Sequence, residues 1–179
     1  MTAHAHGVHI PGVHVPKFCM LCGAAMVMRV VKAGEPERHV CSACGNVHWL
    51  EPKVAAGVLI EYQGGLVMLQ RDIDPGRGKW VFPGGFVDRG ETLEDAAARE
   101  AREEAHIEVG DLKLMAAFSY TGHPVVLLTY TGRVISGTPT AGDEALACEL
   151  WPLDKIRWDD LAFRSTQDAV RRYVETRGR

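Results

Sequence analysis

The chain has 179 residues, of which 46% are hydrophobic and 24% charged, a composition that fits one folded domain with at most a small appendage. A formal net charge of −3 and a pI near 6.2 give no broad attraction to nucleic acid or to anionic membranes. No run of about 18 apolar residues occurs, which excludes a membrane-spanning helix.

Residues 1–16 lack a charged start followed by an apolar stretch, so no secretory signal is read there and a cytoplasmic protein is expected. His4, His6, His9 and His14 alternate with Gly, Pro and Val in what is expected to be a flexible tail. Residues 17–52 carry two Cys-x-x-Cys pairs, Cys19 with Cys22 and Cys41 with Cys44, separated by 18 residues. In a chain without an export signal this spacing predicts a four-thiolate zinc site and not disulfides. Gly23 and Gly45 follow the pairs and let the backbone turn tightly around the metal. Such a ribbon is too short to hold a core without its metal. Cys148, in an apolar stretch, is read as a small buried core residue.

From Lys53 the pattern becomes strands interspersed with helices, which predicts a layered α/β arrangement over residues 53–179. "VAAGVLIE" and "LVMLQR" read as strands joined by a turn, "DIDPGRGK" as a loop and "WVF" as a short strand. Thr92 and Asp95 stand in a capping-box relation ahead of "LEDAAAREAREEA", a run of strong helix formers. Strands near 112–120 and 125–134, a loop, the strand "LACELWPL" and a helix over "STQDAVRRYVETR" complete the chain.

Within the first helix Glu100, Glu103 and Glu104 crowd together at spacings where like charges repel. At about 100° per residue they share an arc with Leu93, Ala96, Ala97 and Ile107, whereas Arg99, Arg102 and Asp95 lie to another side. A stripe with apolar ends turns inward, and half-buried carboxylates without bases are costly. A hard divalent cation such as Mg²⁺ or Mn²⁺ resolves that cost, since carboxylate oxygens are its preferred ligands.

The stretch "GGFVDRGETLEDAAAREAREEAHI" resembles the signature of the Nudix hydrolases, matching it at Gly85, Glu91, Arg99, Glu100, Ala101, Glu103, Glu104 and Ile107. His106 stands where that family has glycine at the helix end, a position where a left-handed residue is common. The ribbon, "NVHWLEPKVAAGVLI", "GKWVFPGGF" and "LWPLDKIRWDDLAFRS" are similar to a zinc-ribbon branch of that superfamily. That branch includes a plant chloroplast FAD and ADP-ribose pyrophosphatase and, more distantly, the NADH pyrophosphatases. The latter carry "SQPWPFP" downstream of the signature, where this chain has "AAFSYTGHPVV".

The resemblance implies an α/β/α sandwich with a mixed sheet. It also implies a metal site formed by Glu100, Glu103, Glu104 and the Gly85 carbonyl, holding Mg²⁺ or Mn²⁺ against a diphosphate. Arg99 would orient the glutamates with Glu91 as its partner, and Glu103 is favoured as general base. Glu144 is a candidate later-loop ligand, and Trp80, Phe82, Phe118 and Tyr120 are candidates to stack on a nucleotide base. The activity so implied is cleavage of a nucleoside diphosphate linked to another moiety, with FAD or ADP-ribose favoured over NADH or a nucleoside triphosphate. A third reading, a zinc-ribbon binding protein with a vestigial signature, is disfavoured by the intact glutamates. The ribbon's nearly balanced charge argues against nucleic acid. Stabilising the fold or a homodimer interface is the role expected of it.

Overall fold

The computed structural model describes residues 15–177, so the four histidines and all but the last two residues of the expected tail lie outside the described residues. The chain divides into two compact units. One runs up to Pro52 and takes in Gly122–Pro124; the other holds Lys53–Thr121 and Val125–Arg179.

The first unit is built on a three-stranded antiparallel sheet of β1 (Met26–Val30), β2 (Glu37–Cys41) and β3 (Val47–His48) in that order. Among its described residues only Cys19, Val40 and Cys41 are buried apolar side chains, too little to offset the entropy of ordering the segment. Gly23 and Gly45 take φ of 75° and 73° in the turns after the two cysteine pairs, a conformation that side chains rarely adopt.

The second unit runs in the order β4 (Lys53–Tyr62), β5 (Gly65–Arg71), β6 (Trp80–Val81), β7 (Gly84–Phe86), α1 (Leu93–Ala105), β8 (Ile107–Phe118), β9 (Val125–Gly137), β10 (Ala145–Trp151) and α2 (Arg164–Arg177). Its sheet has the order β10-β5-β4-β9-β8, with β6 on β5 and β7 on β4. The β4–β9 pair is parallel and the remaining pairs are antiparallel, so the sheet is mixed.

Both faces of this sheet are covered. Ala56, Val58 and Ile60 of β4 and Val67 and Leu69 of β5 join the core formed with Ala96, Ala97, Ala101 and Ala105 of α1. The alternate residues Leu59, Leu66 and Met68 join Trp80, Phe82, Trp151 and the α2 residues Ala169, Val170 and Tyr173. Period-two alternation with both sides apolar thus produces an α/β/α sandwich, as the sequence leads one to expect. The four buried alanines contribute only about 0.8 kcal/mol per methyl, but their small size lets α1 approach the sheet closely. Cys148 is half-buried against this core, and burial pushes its thiol up to about 11.

Helix α1 begins as its sequence predicts. The Thr92 hydroxyl accepts from the Asp95 N–H at 3.1 Å and itself donates to the Asp95 carboxylate at 2.7 Å. At its end His106 takes φ 55° and ψ 35°, and its N–H returns to the Ala101 and Arg102 carbonyls. This left-handed residue turns the chain straight into β8 at Ile107, five residues before the strand expected there. Behind α1, β7 is held against β4 by a contact that only glycines permit. A Cβ on Gly84 would lie 2.6 Å from the Cα of Gly57, and one on Gly57 would lie 2.7 Å from the Phe82 ring. No helix of the described residues is long and apolar enough to cross a membrane.

Candidate active site

In the ribbon the four cysteine Sγ atoms lie within 4.8 Å of one another. Cys19 and Cys44 are 3.7 Å apart, Cys22 and Cys41 3.4 Å, and Cys22 and Cys44 3.5 Å. A tetrahedron of Zn–S bonds of about 2.3 Å has edges of about 3.8 Å, so the donor set fits zinc. The N–H groups of Leu21 and Cys44 donate to the sulfurs of Cys19 and Cys41, each at 3.4 Å. The Cys44 N–H chiefly draws the Cys41 thiol down to about 6. Cys44 itself is favoured as an anion by the Asn46 N–H, yet the thiols of Cys41 and Cys22 beside it push it up to about 12. Four thiolates at this separation therefore require a cation.

The second constellation lies on α1 and β7. Arg99 is its hub and spends every N–H it has. Nε and Nη2 grip Glu91 at 2.8 and 3.1 Å, Nη1 reaches Glu100 at 2.7 Å and Glu103 at 3.0 Å, and Nη2 also reaches the Phe86 carbonyl at 3.0 Å. The hydrogen bonds from Arg99 hold the Glu91 carboxyl below its usual range, and the Asp88 N–H adds a bond at 3.1 Å. The helical azimuth set Arg99 apart from the glutamates; its long side chain instead wraps round to join them.

Glu100 and Glu104 lie within the inward-facing arc between Ala96 and Ala101, whereas Glu103 stands at its edge with 58% of its side chain exposed. Burial raises the Glu100 carboxyl despite the opposing Arg99. Glu104 is pushed up to about 7, first by burial and then by the charges of Glu100 and Glu144, against the pull of the Gly84 N–H, which donates to it at 2.9 Å. Gly85 lies so close to Glu100 that a Cβ there would strike the carboxylate. The exposed Glu144 is tied in through its backbone: its carbonyl accepts from the Asp72 N–H at 2.9 Å, and Gly142 of the same loop donates to the Glu104 carbonyl at 2.9 Å.

Among the described residues only the cysteines bring three or more such ligand atoms within 4.8 Å; the three glutamates do not converge on a point. Their chemistry nevertheless suits a hard cation. Two carboxyls are raised by burial, a main-chain approach is open at Gly85, and one guanidinium is shared among three acids.

The aromatic candidates separate. Trp80 and Phe82 are each only 4% exposed and belong to the α2-side core, so neither presents a face to a nucleotide. Trp80 packs against Trp151 at 5.2 Å between ring centroids, with Arg157 over both rings. Phe118 is half-buried beside the same core. Tyr120 is half-buried too, its hydroxyl donating to Asp168 at 2.7 Å and its ring lying under Arg164 at 4.4 Å. Arg71, at the end of β5, carries no signal in the sequence, yet it interacts electrostatically with Glu104 and Glu144.

A carboxylate helix seated on an α/β/α sandwich, with a four-cysteine ribbon before it in sequence, defines a class of two-part proteins. The comparisons with known proteins make that class specific. The NUDIX domain family matches residues 51–173, and the Nudix N-terminal zinc ribbon matches residues 17–49. The chain belongs to the Nudix hydrolase family. It is 33% identical over 113 residues to an ADP-ribose pyrophosphatase of Methanocaldococcus jannaschii, covering 60% of this chain and 66% of that one. Over 140 residues it is 27% identical to the NAD-capped RNA hydrolase NudC of Photobacterium profundum, covering 77% of this chain and 50% of that protein. The chain thus spans half to two-thirds of the length of these curated relatives. The crystal structure of a NUDIX hydrolase from Nitrosomonas europaea matches with a TM-score of 0.85 at 34% identity, covering 91% of this chain and 93% of that one.

Proposed function

We propose that the protein is a Mg²⁺- or Mn²⁺-dependent pyrophosphohydrolase that splits a nucleoside diphosphate linked to another moiety, with ADP-ribose or FAD as the favoured substrates. The observation that carries this reading is the single guanidinium of Arg99 bonded to Glu91, Glu100 and Glu103 within the matched NUDIX region. Glu100, Glu103, Glu104 and the Gly85 carbonyl are the residues that would hold the cation. Bound there, it would offset the charge of the diphosphate and acidify a water for attack on phosphorus.

The chain's own residues do the rest. Arg99 fixes two of the glutamates and, through Glu91 and Phe86, ties the helix to the loop that precedes it. Glu103, the most exposed of the three, is positioned to accept a proton from solvent-borne water. The ribbon over residues 17–52 takes a structural zinc, and the catalytic domain begins at residue 53. The relative named an ADP-ribose pyrophosphatase supports the first choice of substrate. A NAD-type dinucleotide is the second reading, favoured by a NudC relative whose match extends over 77% of this chain.

The test is incubation with FAD, ADP-ribose, NADH, diadenosine polyphosphates and nucleoside triphosphates in Mg²⁺ or Mn²⁺, with products resolved chromatographically. AMP with FMN, or AMP with ribose 5-phosphate, is the expected outcome, and Glu103→Gln should lower kcat by roughly 10²- to 10⁴-fold. AMP with reduced NMN (NMNH), from NADH, shifts the assignment to the second reading. If nothing is cleaved, or Glu103→Gln cleaves as fast as the parent, the pyrophosphohydrolase reading is wrong.

A further inference from the structure

The last four carbonyls of a helix have no partner within it. In α1 two of them are taken by the loop 138–144, which joins β9 to β10. The Gly142 N–H donates to the Glu104 carbonyl at 2.9 Å, and the Thr140 N–H donates to the Ala105 carbonyl at 3.1 Å. The approach is close: a Cβ on Gly142 would lie 2.2 Å from the Glu103 carbonyl oxygen. Two residues further on, the Glu144 carbonyl accepts from the Asp72 N–H at 2.9 Å. The short span that carries Glu144 is thus tied to α1 at one end and to the residue after β5 at the other.

Electrostatics oppose this seat. The Glu144 carboxylate acts on Glu100 and Glu104 as a like charge, so without a cation the loop is pushed away from the helix it caps. His106 works in the other direction. Its Nδ1 and the Thr140 hydroxyl share a hydrogen bond of 3.0 Å. The residue sits at φ 55° and ψ 35°, a left-handed conformation that glycine adopts freely and a histidine adopts at a cost. Closing the helix uses only its N–H, which bonds to the Ala101 and Arg102 carbonyls and which glycine would supply equally well. Among the described residues, the bond to Thr140 is all that the imidazole adds.

We propose that His106 is a positioning residue of the carboxylate site: by holding Thr140 it keeps the loop 138–144 seated on α1 and the Glu144 carboxylate beside those of Glu100 and Glu104, ready to share a divalent cation. The histidine that departs from the family signature is then accounted for by its side chain, without calling on its charge. The assignment rests on the reading of the α1 glutamates as cation ligands, and its test separates the two.

The experiment is titration of the full-length, zinc-loaded protein with Mn²⁺ in the absence of nucleotide, free Mn²⁺ being read by electron paramagnetic resonance. His106→Gly and Thr140→Val each delete one side of the same hydrogen bond, the second without altering the backbone at His106. Each should bind Mn²⁺ about fivefold more weakly than the parent, the loss expected for one hydrogen bond. His106→Asn, which tolerates the left-handed conformation and keeps a polar side chain, should recover part of that loss. Glu144→Gln should weaken Mn²⁺ binding at least as much, and adding His106→Gly to it should cost nothing further, because the histidine acts through that carboxylate. Hydrogen exchange at Thr140 and Gly142 should quicken in His106→Gly while the middle of α1 stays protected. A parent that binds Mn²⁺ no better than His106→Gly and Thr140→Val overturns the role of His106 and leaves the cation reading standing. Additive losses in the double variant overturn it as well. A parent that binds no Mn²⁺ removes both. His106-dependent binding in a protein that cleaves none of the substrate panel keeps His106 in its role and removes the pyrophosphohydrolase reading.

Discussion

The two metal-type constellations are built on opposite plans. In the ribbon four soft donors already converge within 4.8 Å, backed by main-chain N–H groups, on a unit with almost no apolar core. On α1 the hard donors sit on a well-packed helix and are held apart, two by Arg99 and one by the Gly84 N–H. A closed set of donors makes the metal part of the fold. An open set, neutralised in part by a resident guanidinium, leaves the fold independent of the cation and free to exchange ligands around it.

The largest effect expected from that contrast is at Cys41. Cys41→Ser should abolish zinc binding, a loss on the order of 10 kcal/mol of coupled folding free energy, and should free the β1–β2 amides to exchange while those of α1 stay protected. Metal analysis together with hydrogen exchange checks it, and persistent β1–β2 protection without zinc would break the contrast. Next comes Arg99→Ala, expected to cost about 3 kcal/mol without divalent cation because Glu91 and Glu100 lose their half-buried partner. Mg²⁺ should restore more stability to this variant than it adds to the parent, measured by urea melts; equal gains would show that the glutamates do not rely on Arg99 for neutralisation.

A comparable effect concerns pH. The folded-state value of Glu104, about 7, lies above its ordinary 4.5, so the folded chain holds that proton more tightly than the unfolded one. The resulting stability is fully present below about 4.5 and is lost as pH rises through about 7. In Mg²⁺-free buffer Glu104→Gln should therefore flatten a decline of roughly 3 kcal/mol across that window, and an unchanged pH profile would refute the assignment. The smallest change is expected from His106→Gly. Relief of left-handed strain is worth about 1 kcal/mol, and the lost Nδ1 contact with Thr140 at 3.0 Å offsets it, leaving a net shift below about 1 kcal/mol in chemical denaturation.

What the sequence disclosed follows the range of the forces involved. Thr92, the alanine face and the position of His106 act within a turn or two, so the extent of α1 and both its caps are legible locally. The cysteine spacing likewise carries its own geometry. Two things were out of reach. Whether Trp80 and Phe82 would line a slot or fill a core depends on α2, some eighty residues downstream, which covers them. The reach of Arg99 depends on a flexible side chain that ignores the azimuth of its own Cα. Arg71 was silent for a related reason: its link to Glu104 and Glu144 arises only once the sheet and α1 have packed together.

The back-to-back glycines at positions 57 and 84 have a bearing on redesign. Strand β4 is apolar on both sides, so hydrophobic patterning alone would tolerate its sliding by one residue, with Val58 and Leu59 exchanging cores. The missing methyl groups forbid that slip, since any other residue brought to Gly57 would collide with Phe82 and the Pro83 carbonyl. They work as a keyway, admitting the sheet to the segment carrying Gly84 and Gly85 in one register only. A variant library aimed at new substrates must therefore inherit both glycines as a pair, because changing either one alone jams the lock.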